Sequence, residues 1–217
     1  MADHNTYTIS IDWSWSLENF YELPHVFGQV YAFHCAFTVE VRDRDRLNHA
    51  FASYPWRGGY SAVNFYNVLS SQVPYRLRPQ VESIKYASPG WIALTGVMTV
   101  VTGTIGRAVR GFVRSTSALN KLYSEIYEGH HGRRLMRIEE RRQNLQLAGE
   151  ELNFAIESSE RLAAALGFKN LAALNDFTGN SMTSTKILLS YFRRVRILAS
   201  YVEQGKAEFP ADERPQE

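Results

Sequence analysis

Thr6-Tyr7-Thr8-Ile9-Ser10-Ile11-Asp12-Trp13 alternates polar and bulky residues, the period-two pattern of a half-buried strand. Ser16 then stands before Leu17-Glu18-Asn19-Phe20, an N-cap with Asn19 where a capping box would carry Glu. Leu23, Phe27, Val30, Tyr31 and His34 follow at spacings of three and four, which predicts a helix despite Pro24 and Gly28, with a strand pair across the stretch as the alternative. Pro24 is expected in its first turn, where a proline is tolerated. Phe37-Thr38-Val39-Glu40-Val41 reads as a second strand running into the charged Arg42-Asp43-Arg44-Asp45-Arg46, expected as a solvated loop or strand end. Tyr54 to Tyr60, with Pro55 and paired glycines, is a loop, and Val63 to Leu69 fits strand or helix equally. Tyr75-Arg76-Leu77-Arg78 and then Val81 to Tyr86 alternate again as strands, stopped by Ala87-Ser88-Pro89-Gly90. Ser88 before Pro89 also fits the start of a helix.

From Tyr86 to Gly106 the chain carries no formal charge, over roughly the length that spans a bilayer core. Trp91, Ile92, Leu94, Val97, Val101 and Ile105 supply the apolar content, and Arg107, Arg110 and Arg114 follow as a positive flank would. Threonines and glycines dilute the run, so a buried helix of a water-exposed protein is the preferred reading and a membrane segment over 91–113 the alternative. Beyond it the pattern is helical. Leu119, Leu122, Tyr123, Ile126 and Tyr127 form one face up to an interruption at Gly129-His130-His131-Gly132. A three–four spacing then runs from Arg133 through Leu145, Leu152 and Ile156 to Leu166, broken at Arg142, Gly149 and Ser159, and predicts a long helix with a partner. Gly167 is its stop, and Asn170 caps a short turn at Leu171–Leu174. After a break at Thr178-Gly179-Asn180-Ser181, a last helix from about Ser184 to Gln204 carries Leu188, Tyr191, Phe192, Val195 and Leu198 on one face, closed by Gly205.

These elements predict an α+β fold: a small N-terminal sheet with a helix over residues 1–86, an apolar and basic connecting helix at 87–117, a C-terminal helical hairpin at 118–208 and a disordered tail from 209. Composition agrees, since 45% hydrophobic residues and 21% charged ones support a packed core and exclude disorder along the chain. Cys35 is the single cysteine, which excludes an internal disulfide and any multi-cysteine metal site. The first residues lack the basic and apolar regions of a secretory signal, so a cytoplasmic setting with possible membrane association is expected.

The net charge of +2 is uneven, with about −1 over residues 1–80, +5 over 81–142 and −2 over 143–217. Arg107, Arg110, Arg114, Arg133, Arg134, Arg137 and Arg141 are the candidate anion contacts. Interleaved Glu139 and Glu140 favour salt bridges over a phosphate-tracking face, so nucleic acid is not an expected partner. No catalytic signature emerges. His34-Cys35 sits in apolar surroundings and reads as buried and inert; the alternative is an enzyme with a non-contiguous site there. His130-His131 lacks zinc-ligand spacing, and Gly103-Thr104-Ile105-Gly106-Arg107 lacks the order of a phosphate loop, so no metal and no cofactor are expected.

The run Val81-Glu82-Ser83-Ile84-Lys85-Tyr86-Ala87-Ser88-Pro89-Gly90, with the apolar segment and charged helix after it, resembles a pattern in uncharacterised bacterial proteins. The resemblance implies a bacterial origin and this order of elements, and carries no catalytic residue. The expected function is non-enzymatic: self-assembly into a homo-oligomer, or capture of a protein partner, through a seam of Leu145, Leu152, Ile156, Leu166, Leu188, Phe192 and Val195. Insertion of residues 91–113 into a membrane is the second expectation.

Overall fold

A computed structural model describes residues 6–12, 14–38, 43–52, 60–139 and 146–211, with side chains left out at 60–63, 130–139 and 146–151. The fold is α+β. Strands β1 (Tyr7–Ile11), β2 (Gln80–Lys85), β3 (Gly90–Thr95) and β4 (Ala207–Glu208) form one antiparallel sheet in the order β2-β3-β1-β4. Because side chains alternate across a strand, β1 buries Tyr7, Ile9 and Ile11 toward the helices. Tyr7 lies opposite Leu94 and Ile9 opposite Ile92, so those β3 residues share the inner face. Val81 pairs with Leu94 and Ile84 with Ile92, which puts both on that face as well. They nonetheless remain 52% and 50% exposed, because β2 overhangs the helical layer as the sheet edge.

Helix α1 (Leu17–Thr38) begins with a reciprocal box: the Ser16 Oγ accepts from the Asn19 amide and the Asn19 side chain accepts from the Ser16 amide, both at 3.2 Å. Asn19 thus does the work of the missing Glu. Pro24 lies inside this helix, past its first turn, contrary to the sequence expectation. The strand expected from Phe37 is also overturned for Phe37 and Thr38, which continue α1; residues 39–41 lie outside the described residues. The Phe37 ring meets Phe33, Phe51, Phe168 and Phe177, so aromatic packing favours another helical turn. The charged run is solvated as expected at residues 43–46, but it opens helix α2 (Arg44–Ala52) where a loop or strand end was expected, with the Asp43 carboxylate accepting from the Arg46 amide at its start; Arg42 lies outside the described residues. Helix α3 (Tyr60–Gln72) settles the ambiguous stretch, and Tyr75–Leu77 is a 3-10 turn where a strand was expected.

The connecting helix expected over 87–117 is a strand and a helix. Residues 90–95 are β3, entered through a cis Ser88–Pro89 peptide, and α4 (Thr99–Arg114) starts after the turn at Gly96. A short apolar run fits a buried strand or a buried helix equally by periodicity, so only tertiary pairing decides. Helix α5 (Thr116–Glu139) passes through the Gly129–Gly132 interruption, and α6 (Gln146–Ala165) follows, so the expected long helix from Arg133 is divided. At Gly129 the Phe154 ring of α6 occupies the space where a side chain would stand.

Short α7 (Leu171–Thr178) links α6 to α8 (Ser181–Glu203), and α6 and α8 pack on each other as the expected hairpin. The Asn180 side chain caps α8 by accepting from the Met182 and Thr183 amides at 2.8 and 3.3 Å. Gly167 and Gly205 stop their helices at positive φ, as expected. Helix α8 also packs against α1 and α4, so one core runs from Tyr7 of the sheet to Phe209. The expected tail disorder is overturned for 209–211: Phe209 is buried and stacks on Phe27, while the Tyr7 hydroxyl donates to the Pro210 carbonyl at 3.0 Å. This strap crosses α4 at Gly103 and Gly106, where a side chain on Gly106 would overlap the Pro210 carbonyl. Residues 212–217 lie outside the described residues.

Candidate functional site

Between α1 and the inner face of the sheet lies a mostly apolar cavity of about 230 Å³. Its floor is Ile9, Ile92, Leu94 and Val81, and half-exposed Val81 marks its open side. Its roof is α1, through Leu23, Pro24, Phe27, Gly28, Tyr31 and Ala32, and Ser70, Val73, Arg78 and Pro79 complete the lining. Pro24, Gly28 and Tyr31 recur at helical spacing and so share one stripe of α1. A Cβ built on Gly28 meets nothing within 4 Å. Helix geometry does not require glycine there, and alanine would favour the helix by about 1 kcal/mol. Its missing side chain is therefore volume left in the cavity. For scale, an engineered apolar cavity of roughly 150 Å³ stays dry and holds benzene.

The polar groups of the site are few and fixed. The Tyr31 hydroxyl accepts from the Met98 amide at 3.0 Å, and Cys35 stands one helical turn further along α1. Burial raises the ionisation of Tyr31 above its usual value and pushes the Cys35 thiol up to about 12. Neither group is poised as a nucleophile. His34, on the far side of α1 from Gly28, places Nε2 2.9 Å from the Tyr191 hydroxyl among the rings of Phe33 and Phe168. Burial alone lowers its pKa to about 4, so the ring is neutral. The adjacent pair is thus divided between two environments, with Cys35 against a cavity-lining tyrosine and His34 in the ring cluster. Arg78 is partly buried, its Nε donating to the Val73 carbonyl at 3.0 Å and its Nη2 to the Ser71 carbonyl at 3.1 Å.

The other candidates distribute differently. Leu166, Leu188, Phe192 and Val195 are core of this chain, which removes them from any surface seam; Leu152 and Ile156 stay 52% and 37% exposed on α6. Leu145 lies outside the described residues, as does Arg141. Of the apolar segment, Ile92, Leu94, Val101 and Ile105 are buried in the core and Val97 packs against it. Trp91 lies on the outer side of the sheet, with the Lys85 ammonium 4.6 Å from its ring centroid. Among the described residues no helix is long and apolar enough to cross a membrane. Arg107, Arg110 and Arg114 are exposed on α4, and Arg107 also donates to the Ala211 carbonyl and the Thr104 hydroxyl. Arg133, Arg134 and Arg137 fall on α5, with their side chains outside the description. No group of three or more His, Cys, Asp or Glu is placed to hold a metal among the described residues.

Compared with known proteins, the chain matches no family model, no curated protein and no solved structure. The cavity was missed from the sequence, although two of its residues carried a signal. Pro24 and Gly28, four apart in an aromatic helix, are the residues that helix formation least favours.

Proposed function

We propose that this chain is a non-enzymatic binding protein that takes a small apolar molecule into the cavity between α1 and the sheet. The observation that carries this reading is the open space at Gly28 in a cavity of about 230 Å³. Apolar walls with a few placed polar groups are the usual make-up of a small-molecule site. The raised ionisation of Cys35 and Tyr31 supports binding over covalent chemistry. The test is thermal melting with n-butylbenzene, for the parent chain and for Gly28→Leu. A saturable rise in Tm that Gly28→Leu abolishes supports the reading, because a ligand of the folded state stabilises by mass action. No rise, or an equal rise in both chains, contradicts it.

A second reading has its own observation: Leu152 and Ile156, four residues apart, leave an exposed apolar pair on α6. There the chain would associate with a second copy or with a protein partner. Light scattering after size exclusion tests it, with Leu152→Asp expected to shift an oligomer to monomer without loss of helix content. A monomeric parent chain, or an oligomer that survives the substitution, ends this reading for self-association.

A further inference from the structure

We infer that the cavity's ligand is an anion, a small apolar carboxylic acid whose carboxylate is bound by Arg78. The inference rests on the cavity reading above and adds the head group to it. Arg78 lines the cavity beside the C-terminal end of α3, where main-chain carbonyls of Ser71 and Val73 come together. Two of them already hold the guanidinium: Val73 accepts from Nε and Ser71 from Nη2. Both bonds use the side of the fork that carries Nε, so the opposite edge, with one N–H each from Nη1 and Nη2, has no acceptor among the described residues. That edge, with its two parallel N–H groups, is free to meet a carboxylate with two bonds.

Charge makes the same point independently. Among the described residues no carboxylate forms an ion pair with Arg78, and Glu82, on the adjoining strand, accepts from the Thr6 hydroxyl instead. A partly buried cation at an apolar wall is costly unless paired, and main-chain carbonyls supply only partial charge. A ligand carboxylate would complete the pairing while its apolar body fills the space beside Gly28. The cavity's size suits a chain of about eight carbons or a substituted ring, by comparison with the roughly 150 Å³ that holds benzene.

Calorimetric titration of the full chain with sodium octanoate and with 1-octanol separates the head group from the body. Octanoate is expected to bind about tenfold tighter or more, the usual return of hydrogen bonds to a charged group. Arg78→Gln should erase that preference by weakening octanoate far more than 1-octanol, whereas Gly28→Leu should abolish binding of both. Equal affinities in the parent chain, or a preference for octanoate retained in Arg78→Gln, overturns the role of Arg78 while the cavity reading stands. Octanoate binding that persists in Gly28→Leu places the anion elsewhere and overturns the inference. Binding of neither probe overturns both readings. If Arg78→Gln does not fold, the side-chain Nε resonance of Arg78 in the parent chain decides: it should move with octanoate and stay with 1-octanol, and an unmoved resonance refutes the contact.

Discussion

His34 sits wholly inside the molecule, with the Tyr191 hydroxyl as partner and a pKa lowered to about 4 by burial. The unfolded chain protonates this imidazole near its ordinary value of 6.5, while the folded chain refuses the proton until about 4. Its contribution is therefore fully present above pH 6.5 and is lost as pH falls toward 4. Within that window stability should drop by roughly 1.4 kcal/mol per pH unit from this group. Urea unfolding at pH 7, 5.5 and 4.5 checks it against His34→Phe, which should be less stable at pH 7 because Tyr191 loses its partner, but flatter with pH. A slope unchanged by the substitution contradicts the burial argument. The burial of His34 and Cys35 was legible from their apolar neighbours. Arg78 was not, because its role depends on the carbonyls of Ser71 and Val73 brought to it by the end of a helix.

At the scale of elements, local signals carried the start of α1 at Ser16 and Asn19, the cap at Asn180 and the glycine stops at Gly167 and Gly205. Long-range pairing carried the rest. Residues 90–95 become a strand because β1 and β2 flank them, and nothing in their own apolar run says so. The strap at 209–211 looked like tail composition, yet Phe209 finds Phe27, and Gly106 leaves room for Pro210. Two glycines of α4 test this account in opposite directions. Gly106→Ala drives a methyl group into the strap and should cost about 1–3 kcal/mol. Gly111→Ala meets open space and should stabilise the helix by up to about 1 kcal/mol. Thermal or urea unfolding of both variants reads the two signs, and stabilisation by Gly106→Ala would mean that the strap does not lie on α4.

For the whole molecule, a hairpin of α6 and α8 was legible from its apolar stripes, but the stripes alone gave no partner. Helix α8 turns its stripe onto α1 and α4 of the same chain, so sheet and hairpin share one core. Among what remains uncovered are the overhang of β2 and the space beneath α1, where Pro24 and Gly28 sit in a helix that would form more readily without them. On the proposed function, that space is the working part of the molecule. Gly28→Leu should then raise the stability of the ligand-free chain while removing its binding, the trade expected where room is kept for a ligand. The most direct measurement is a heteronuclear NMR titration of the parent chain with n-butylbenzene. Binding in the cavity predicts saturable amide shifts confined to Gly28, Tyr31, Ala32, Val73, Val81 and Leu94, all absent in Gly28→Leu. Shifts that map instead to the α6 face around Leu152, or no shifts at all, would contradict it.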